Sequence, residues 1–349
     1  MPNGFLWYYG PVFSDQAMKL LRKARSGIYP RRTYVDPWGP DFDLECSLIH
    51  SRFVNFTKRL PRPLATRALD MRTYLGKSAQ PRRSKPITDC IPVIAVLPYV
   101  LRGCFPVELE RLRTLAYGLT LGGLYAMAED KLIDSQASPA LSHTLLAPSL
   151  YCEFLRTLHG IFPPGSAFWT YHDRFFREYQ MAELAHGNEI GRTGRTHPRR
   201  YCNIVRAKSA PMKLAVCGMG ILSGREEHIS QILKSFDHWI VGHQLHDDIV
   251  DWREDYCARR QSLIGAKIGR LVRAGRNACP LSELTRAVHS SDVIESMLEE
   301  SARWFARAEK SAVGIDCGDW IRFVRDFASV TSATVRDLVT LKAAILLGH

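Results

Sequence analysis

Two clusters of acidic side chains are the residues in this chain whose types and spacing read most directly as chemistry. The first is Glu129-Asp130-Lys131-Leu132-Ile133-Asp134, and the second runs from Gln244 through His246, Asp247, Asp248, Asp251 and Glu254 to Asp255. A helix turns about 100° per residue, so about 18 residues complete five whole turns. Asp130 lies 18 residues after Leu112, with Ala116 and Leu119 near the same azimuth and Asp134 one turn further on. Asp247 lies 18 residues after Ile229, with Leu233, Phe236 and Ile240 close to the same stripe. Asp251 and Asp255 extend that stripe at i+4 and i+8. The carboxylates therefore continue the apolar faces of their helices. An unpaired carboxylate on an inward face is costly unless it holds a cation or a proton. Oxygen donors at i, i+4 spacing suit a hard cation such as Mg²⁺, which keeps waters and shares its shell with phosphates. The expected ligands are Asp130, Asp134, Asp247, Asp248 and Asp251, with Asp255 beyond them. Zinc or iron fits less well, because His243 and His246 do not recur as a His–carboxylate pattern on two helices. Solvated acidic helix ends are the plain alternative, and it weighs more on the first cluster than on the second.

The elements that must position these groups read as helices. From about residue 90 onward apolar residues recur at helical spacing, and no alternating strand pattern or 20–50-residue repeat interrupts them. Pro106 followed by Glu108 and Glu110 reads as the start of a helix over 107–134. Ser138-Pro139 and Gly165-Ser166 read as further starts, and Ser223-x-x-Glu226 matches a capping box that would open the helix carrying the second cluster. Residues 1–89 are expected to form an irregular segment with short helices, one near 15–26, and residues 90–349 a single helical domain. The stretch 76–88 is basic and broken by proline, hence a loop. The fold class is all-α, roughly eight to ten helices in a bundle.

Composition bounds the partners. The 349 residues are 46% hydrophobic and 23% charged, enough for a sizeable core, and the formal net charge of +12 suits an acidic partner or simply a solvated basic surface. The basic residues are spread along the chain without a nucleic-acid motif, so nucleic acid is not expected. The nine cysteines form no CxxC pair and read as free thiols in a reducing cytoplasm, with Cys152, Cys202 and Cys217 placed in the core. No secretory signal and no uninterrupted apolar stretch of membrane-spanning length is expected.

With the motifs in view, a resemblance becomes specific. His243-Gln244-Leu245-His246-Asp247-Asp248-Ile249-Val250-Asp251 is similar to the second aspartate-rich motif of the trans-isoprenyl diphosphate synthases, where a Gln stands three residues before a DDxxD. Upstream, Tyr201-Cys202-Asn203-Ile204-Val205-Arg206-Ala207-Lys208-Ser209-Ala210 resembles that family's Tyr…Lys-Thr-Ala segment. The likeness covers roughly residues 90–265, with three motifs in order. It implies an isoprenoid synthase-type bundle around a central active-site cavity, several Mg²⁺ ions per site, a prenyl diphosphate substrate bound by Lys208 and Gln244, and often a homodimer. Two departures matter. The first motif is best matched as Asp130-Lys131-x-x-Asp134, with no arginine pair after it, and the motif that binds isopentenyl diphosphate is missing. Lys131 either turns outward, about 100° from Asp130, or offsets one carboxylate; the outward orientation is preferred.

Keeping the metal site while losing the acceptor site points to a class I terpene synthase that ionises one allylic diphosphate. Arg192, Arg195 and Arg206 would close over the phosphates with bidentate geometry. Phe236, on the azimuth of the aspartates, would face the carbocation beside Ile240 and Leu119, with cavity depth set near Gly123, Ala126 and Met127. Two rivals stand beside this reading. One is a prenyltransferase that condenses two substrates using the 76–85 basic loop. The other, from a different class, is a non-catalytic partner subunit with the same fold, which Lys131 supports best.

Overall fold

In the computed structural model the described residues are 42–71, 87–90, 92–134, 141–187, 197–257 and 291–347, with single positions such as Lys19 and Leu263 between them. For Asp130, Lys131, Asp134, Asp251 and Asp255 the description covers the backbone alone. Eleven α-helices follow one another among these residues: α1 (Phe42–Thr57), α2 (Arg62–Leu69), α3 (Pro92–Val100), α4 (Leu109–Asp134), α5 (Leu141–His159), α6 (Ala167–Gly187), α7 (Pro198–Lys208), α8 (Leu214–Ser223), α9 (Ile229–Cys257), α10 (Val293–Ser311) and α11 (Gly318–Leu347). No strand occurs among them. The all-α expectation holds, while the helix near 15–26 and the 76–85 loop lie outside the described residues, Lys19 excepted.

Local chemistry sets the helix ends. Glu108 caps α4, its two carboxylate oxygens accepting from the backbone N–H of Glu110 at 2.9 Å and Arg111 at 3.1 Å. Those bonds hold its carboxyl below the usual carboxylate range. Ser166 Oγ accepts from the N–H of Phe168 at the start of α6. His197 accepts from the N–H of Arg199 ahead of α7, with Pro198 in the first turn. The capping box at Ser223 is not used. Ser223 ends α8 instead, its hydroxyl bonds back to the carbonyl of Gly220, and Gly224 takes φ +67° as the left-handed C-terminal stop. A short 3₁₀ turn, Glu226–His228, then leads into α9.

The bundle is built around α8, whose residues Leu214 to Gly220 are all buried. It is flanked by α4, α6 and α9. On one side α3 and α5 pack on α4; on another α7 packs on α6; on a third α10 lies between α9 and α11. The helices of 42–69 join the same core through Phe53 and Ala68. Buried Glu45 of α1 accepts from Arg113 of α4 at 2.7 Å and from the hydroxyl of Tyr99 at 3.1 Å. Two aromatic cores fill the interior. One joins Tyr125, Tyr151, Phe154 and Phe176 across α4, α5 and α6, and the other joins Phe236, Trp239, Trp320 and Phe327 across α9 and α11.

At Gly242 the α9 backbone meets both a ring and a backbone carbonyl of α10. A Cβ there would stand 2.8 Å from the Phe305 ring and 3.0 Å from the Ser301 carbonyl, and the Ser301 hydroxyl donates to the Gly242 carbonyl at 2.7 Å. Gly242→Ala is expected to lower stability by about 1–3 kcal/mol through overpacking against backbone that cannot yield. Urea denaturation with an unchanged slope would measure it; an unchanged midpoint would show that α9 and α10 separate more easily than this contact implies.

The cysteine expectations hold only in part. Cys217 is fully buried and burial pushes its thiol up to about 12. Cys202 is half-buried, and Cys152 is exposed on α5 and not in the core. No described helix is long and apolar enough to cross a membrane.

Candidate active site

A cavity of about 310 Å³ lies between α3, α4, α6, α7, α8 and α9. Leu119, Gly122, Gly123, Ala126 and Met127 form its α4 wall; Phe176, Tyr179 and Glu183 form its α6 wall; Ile94 and Leu97 of α3 add apolar surface. Lys208, Ser209 and Gln244 supply most of the remaining polar lining. The size falls at the small end of about 300–1,000 Å³ typical of ligand cavities. The α4 wall runs from Leu119 to Met127, nine residues and about 12 Å of helix rise. Of the residues expected to line a cavity, Leu119 and Met127 do so, as do the diphosphate-binding candidates Lys208 and Gln244.

Phe236 and Ile240 do not line it. Phe236 is fully buried and packs on Trp239 at 5.4 Å and Trp320 at 6.3 Å between ring centres, in the α9–α11 core. Ile240 is buried in the same continuous core. The expectation is corrected because azimuth fixes direction but not level along the axis. Phe236 lies 11 residues, about 16 Å, before Asp247, where α9 faces different neighbours. Arg206 is corrected as well. Its guanidinium donates to the Asp237 carbonyl at 3.3 Å and lies 5.3 Å from the centre of the Trp304 ring, so it turns toward α9 and α10 and not into the cavity. Arg192 and Arg195 lie outside the described residues.

Lys208 meets Glu183 at 3.1 Å, so the cavity carries a paired cation and carboxylate. Glu183 was missed by the sequence reading. Its signal was available: Phe176, Tyr179 and Glu183 stand at i, i+3 and i+7, a carboxylate ending an apolar stripe just as in the two acidic clusters.

The second acidic cluster divides between two neighbouring carboxylates. Asp248 is 5% exposed. It accepts from the Tyr201 hydroxyl at 2.7 Å, from Gln244 Nε2 at 3.0 Å and from the N–H of Leu263 at 3.4 Å. Three of about four lone-pair directions on a carboxylate are thereby used. The expectation that Asp248 is a metal ligand is corrected on this ground: it ties α7 to α9 and orients Gln244. Burial, with the adjacent Asp248 carboxylate, holds the Tyr201 hydroxyl far above its ordinary range, so it stays a donor. Asp247, one residue earlier, has a side chain 22% exposed and stands 3.6 Å from His243 Nδ1.

In the first cluster the Tyr125 hydroxyl donates to Glu129 Oε1 at 2.7 Å, while Glu129 Oε2 is buried and has no hydrogen-bond donor among the described residues. That oxygen, together with an all-carboxylate donor set, fits a hard cation. Among the described side chains no three His, Cys, Asp or Glu groups converge as a ready-made metal cage; those of Asp130, Asp134, Asp251 and Asp255 are outside that description. The backbone places both clusters alike. Asp130 comes three residues after cavity-lining Met127, and Asp247 three residues after cavity-lining Gln244, each in the C-terminal half of its helix.

No protein-family model matches the sequence, and comparison with curated proteins gives no match. Solved structures do match in fold. Geranylgeranyl pyrophosphate synthetase from the archaeon Geoglobus acetivorans superposes with a TM-score of 0.64 at 16% identity, covering 81% of this chain and 95% of that one. Geranylgeranyl pyrophosphate synthase from Lactobacillus brevis gives 0.66 at 13% identity, covering 82% and 96%. A polyprenyl synthase from Caulobacter crescentus, solved with calcium and isoprenyl diphosphate, gives 0.61 at 12% identity, covering 91% and 97%. The chain has the fold of the class I isoprenoid synthases.

Proposed function

We propose that this chain binds an allylic prenyl diphosphate, its hydrocarbon in the 310 Å³ cavity and its diphosphate toward the acidic ends of α4 and α9, and ionises it. The observation that carries the reading is the shared offset: the first aspartate of each acidic cluster comes three residues beyond a cavity-lining residue, with Lys208 in the lining between them. Asp130, Asp134, Asp247 and Asp251 would hold divalent metal, with Glu129 and Asp255 beside them. A metal bound there supplies Lewis-acid neutralisation of the departing diphosphate. Lys208 adds a positive charge on the same oxygens. Gln244, held by Asp248, presents its amide to the cavity. The allylic C–O bond breaks with its electron pair leaving on diphosphate. Phe176 and Tyr179 then offer ring faces to the carbocation, worth about 0.5–2 kcal/mol each, while Ile94, Leu97 and Leu119 keep water out.

Prenyl transfer to a second substrate is the outcome we place first. Two of the solved structures compared above are named as geranylgeranyl pyrophosphate synthases, and the third, a polyprenyl synthase, was solved with isoprenyl diphosphate. The one-substrate terpene synthase becomes the second reading, favoured by the missing acceptor motif in the sequence. Incubation with Mg²⁺ and geranyl, farnesyl or geranylgeranyl diphosphate, each with and without isopentenyl diphosphate, separates them by gas chromatography–mass spectrometry. A longer diphosphate formed only with the second substrate establishes transfer. A hydrocarbon or alcohol from one diphosphate establishes cyclisation or hydrolysis. Folded protein that yields neither would leave the partner-subunit reading.

A further inference from the structure

Arg206 belongs to a group of cations on the far side of α7 from Lys208. The two residues are two positions apart, which turns their side chains about 200° from one another. The guanidinium of Arg206 lies 5.3 Å from the Trp304 ring centre, and that of Arg307 lies 4.5 Å from it. The imidazole of His238 is 5.6 Å from the same ring. Burial, and then the positive charges of Arg206, Lys234 and Arg307, disfavour the protonated form of His238.

Like charges gathered this way repel unless something offsets them. Among the described residues, Arg206, Lys234 and Arg307 make no ion pair. The carboxylates close by in sequence are engaged elsewhere: Asp237 with Lys213 at 2.8 Å, Glu309 with Arg325 at 2.6 Å, and Glu300 with Lys267 at 3.6 Å. A second observation points the same way. The indole N–H of Trp304 is buried and has no acceptor among the described residues. Arg206 Nε does reach the Asp237 carbonyl and His238 Nδ1 the Ser311 hydroxyl, but donors and positive charge still outnumber the acceptors. None of these residues lines the 310 Å³ cavity.

We propose that Arg206, His238, Trp304 and Arg307 form a second anion site, separate from the cavity, for a phosphate-bearing ligand. Two guanidinium groups over one indole suit the planar, bidentate recognition of phosphate oxygens. The ligand is either a soluble phosphate or diphosphate, or the headgroup of an anionic lipid. This site does not depend on the catalytic reading of the cavity.

Calorimetric titration of the full chain with inorganic diphosphate in EDTA tests it, because chelation removes metal-dependent binding at the acidic clusters. Saturable binding is expected, retained in Lys208→Ala and weakened about tenfold or more in Arg307→Gln. Arg307 is exposed, so this substitution leaves the core intact, and Arg307→Lys is expected to bind with intermediate strength. Co-sedimentation with phosphatidylcholine vesicles, with and without phosphatidic acid, resolves the source. Pelleting that needs phosphatidic acid and Arg307, without binding of free diphosphate, assigns the site to a lipid headgroup. Diphosphate binding that is lost in Lys208→Ala but kept in Arg307→Gln would place the anion in the cavity and overturn the proposal. Failure of both diphosphate and phosphatidic acid vesicles to bind would overturn it too.

Discussion

Lys208→Ala is expected to slow consumption of an allylic diphosphate by about 10²–10³-fold, the usual cost of removing one group aimed at developing negative charge in a water-poor site. It is also expected to cost about 1–3 kcal/mol of stability, because Glu183, a buried carboxylate, loses the ammonium that stands 3.1 Å from it. The lower part of that range is the better expectation, since the Lys208 side chain is 28% exposed and water screens the pair. The two effects come apart in a second variant. Lys208→Ala with Glu183→Gln also removes the buried negative charge, so stability should largely return while the rate stays low. Initial rates on farnesyl diphosphate and urea denaturation of both variants give the comparison. A rate unchanged in Lys208→Ala would exclude this lysine from the diphosphate site, and with it the orientation of substrate proposed above.

How far the site could be read from the sequence depended on which property of a helix was asked for. Azimuth placed Leu119 on a cavity wall, and nearness to the aspartates along the axis placed Met127 there, because α4 keeps one face toward the same space through that stretch. Azimuth failed for Phe236, because α9 is 29 residues long and meets the α11 aromatics at one level and the cavity at another. Nothing in a periodic pattern says which neighbour stands at which height. Arg206 was legible and misread: with Lys208 facing the cavity, a residue about 200° away on α7 had to face elsewhere. The Ser223 capping box matched in letters, yet Gly224 in the left-handed region ended one helix before the next could be capped there. The fold class was the easiest part to read, since helical spacing persists through much of the chain. The packing of α1 and α2 into the same core was not, because it depends on a long-range contact between Glu45 and Arg113.

The adjacent aspartates of α9 should separate stability from activity. Asp248→Ala strands the Tyr201 hydroxyl, which is buried and now donates at 2.7 Å, and releases Gln244 from 3.0 Å. Leaving such donors without an acceptor costs about 3 kcal/mol, and for a chain of this size each kcal/mol lowers the melting temperature by about 2 °C. A fall of about 6 °C is therefore expected, with activity lost as α7 loosens from α9. Tyr201→Phe removes one bond of the same network and should cost less, about 1–2 kcal/mol. In the double variant the two costs should fall short of their sum, because they share one contact. Asp247→Ala should behave in the opposite way. Its side chain is 22% exposed, and His243 stands 3.6 Å away, so little stability is at stake, about 0.5 kcal/mol. Its expected cost is in rate, about 10²–10³-fold, as one carboxylate fewer holds charge opposite the diphosphate. Differential scanning fluorimetry beside product formation reads both axes. Equal melting losses in the two variants would mean that Asp247 is a structural anchor like its neighbour. Full activity in Asp247→Ala would remove the second acidic cluster from the catalytic site.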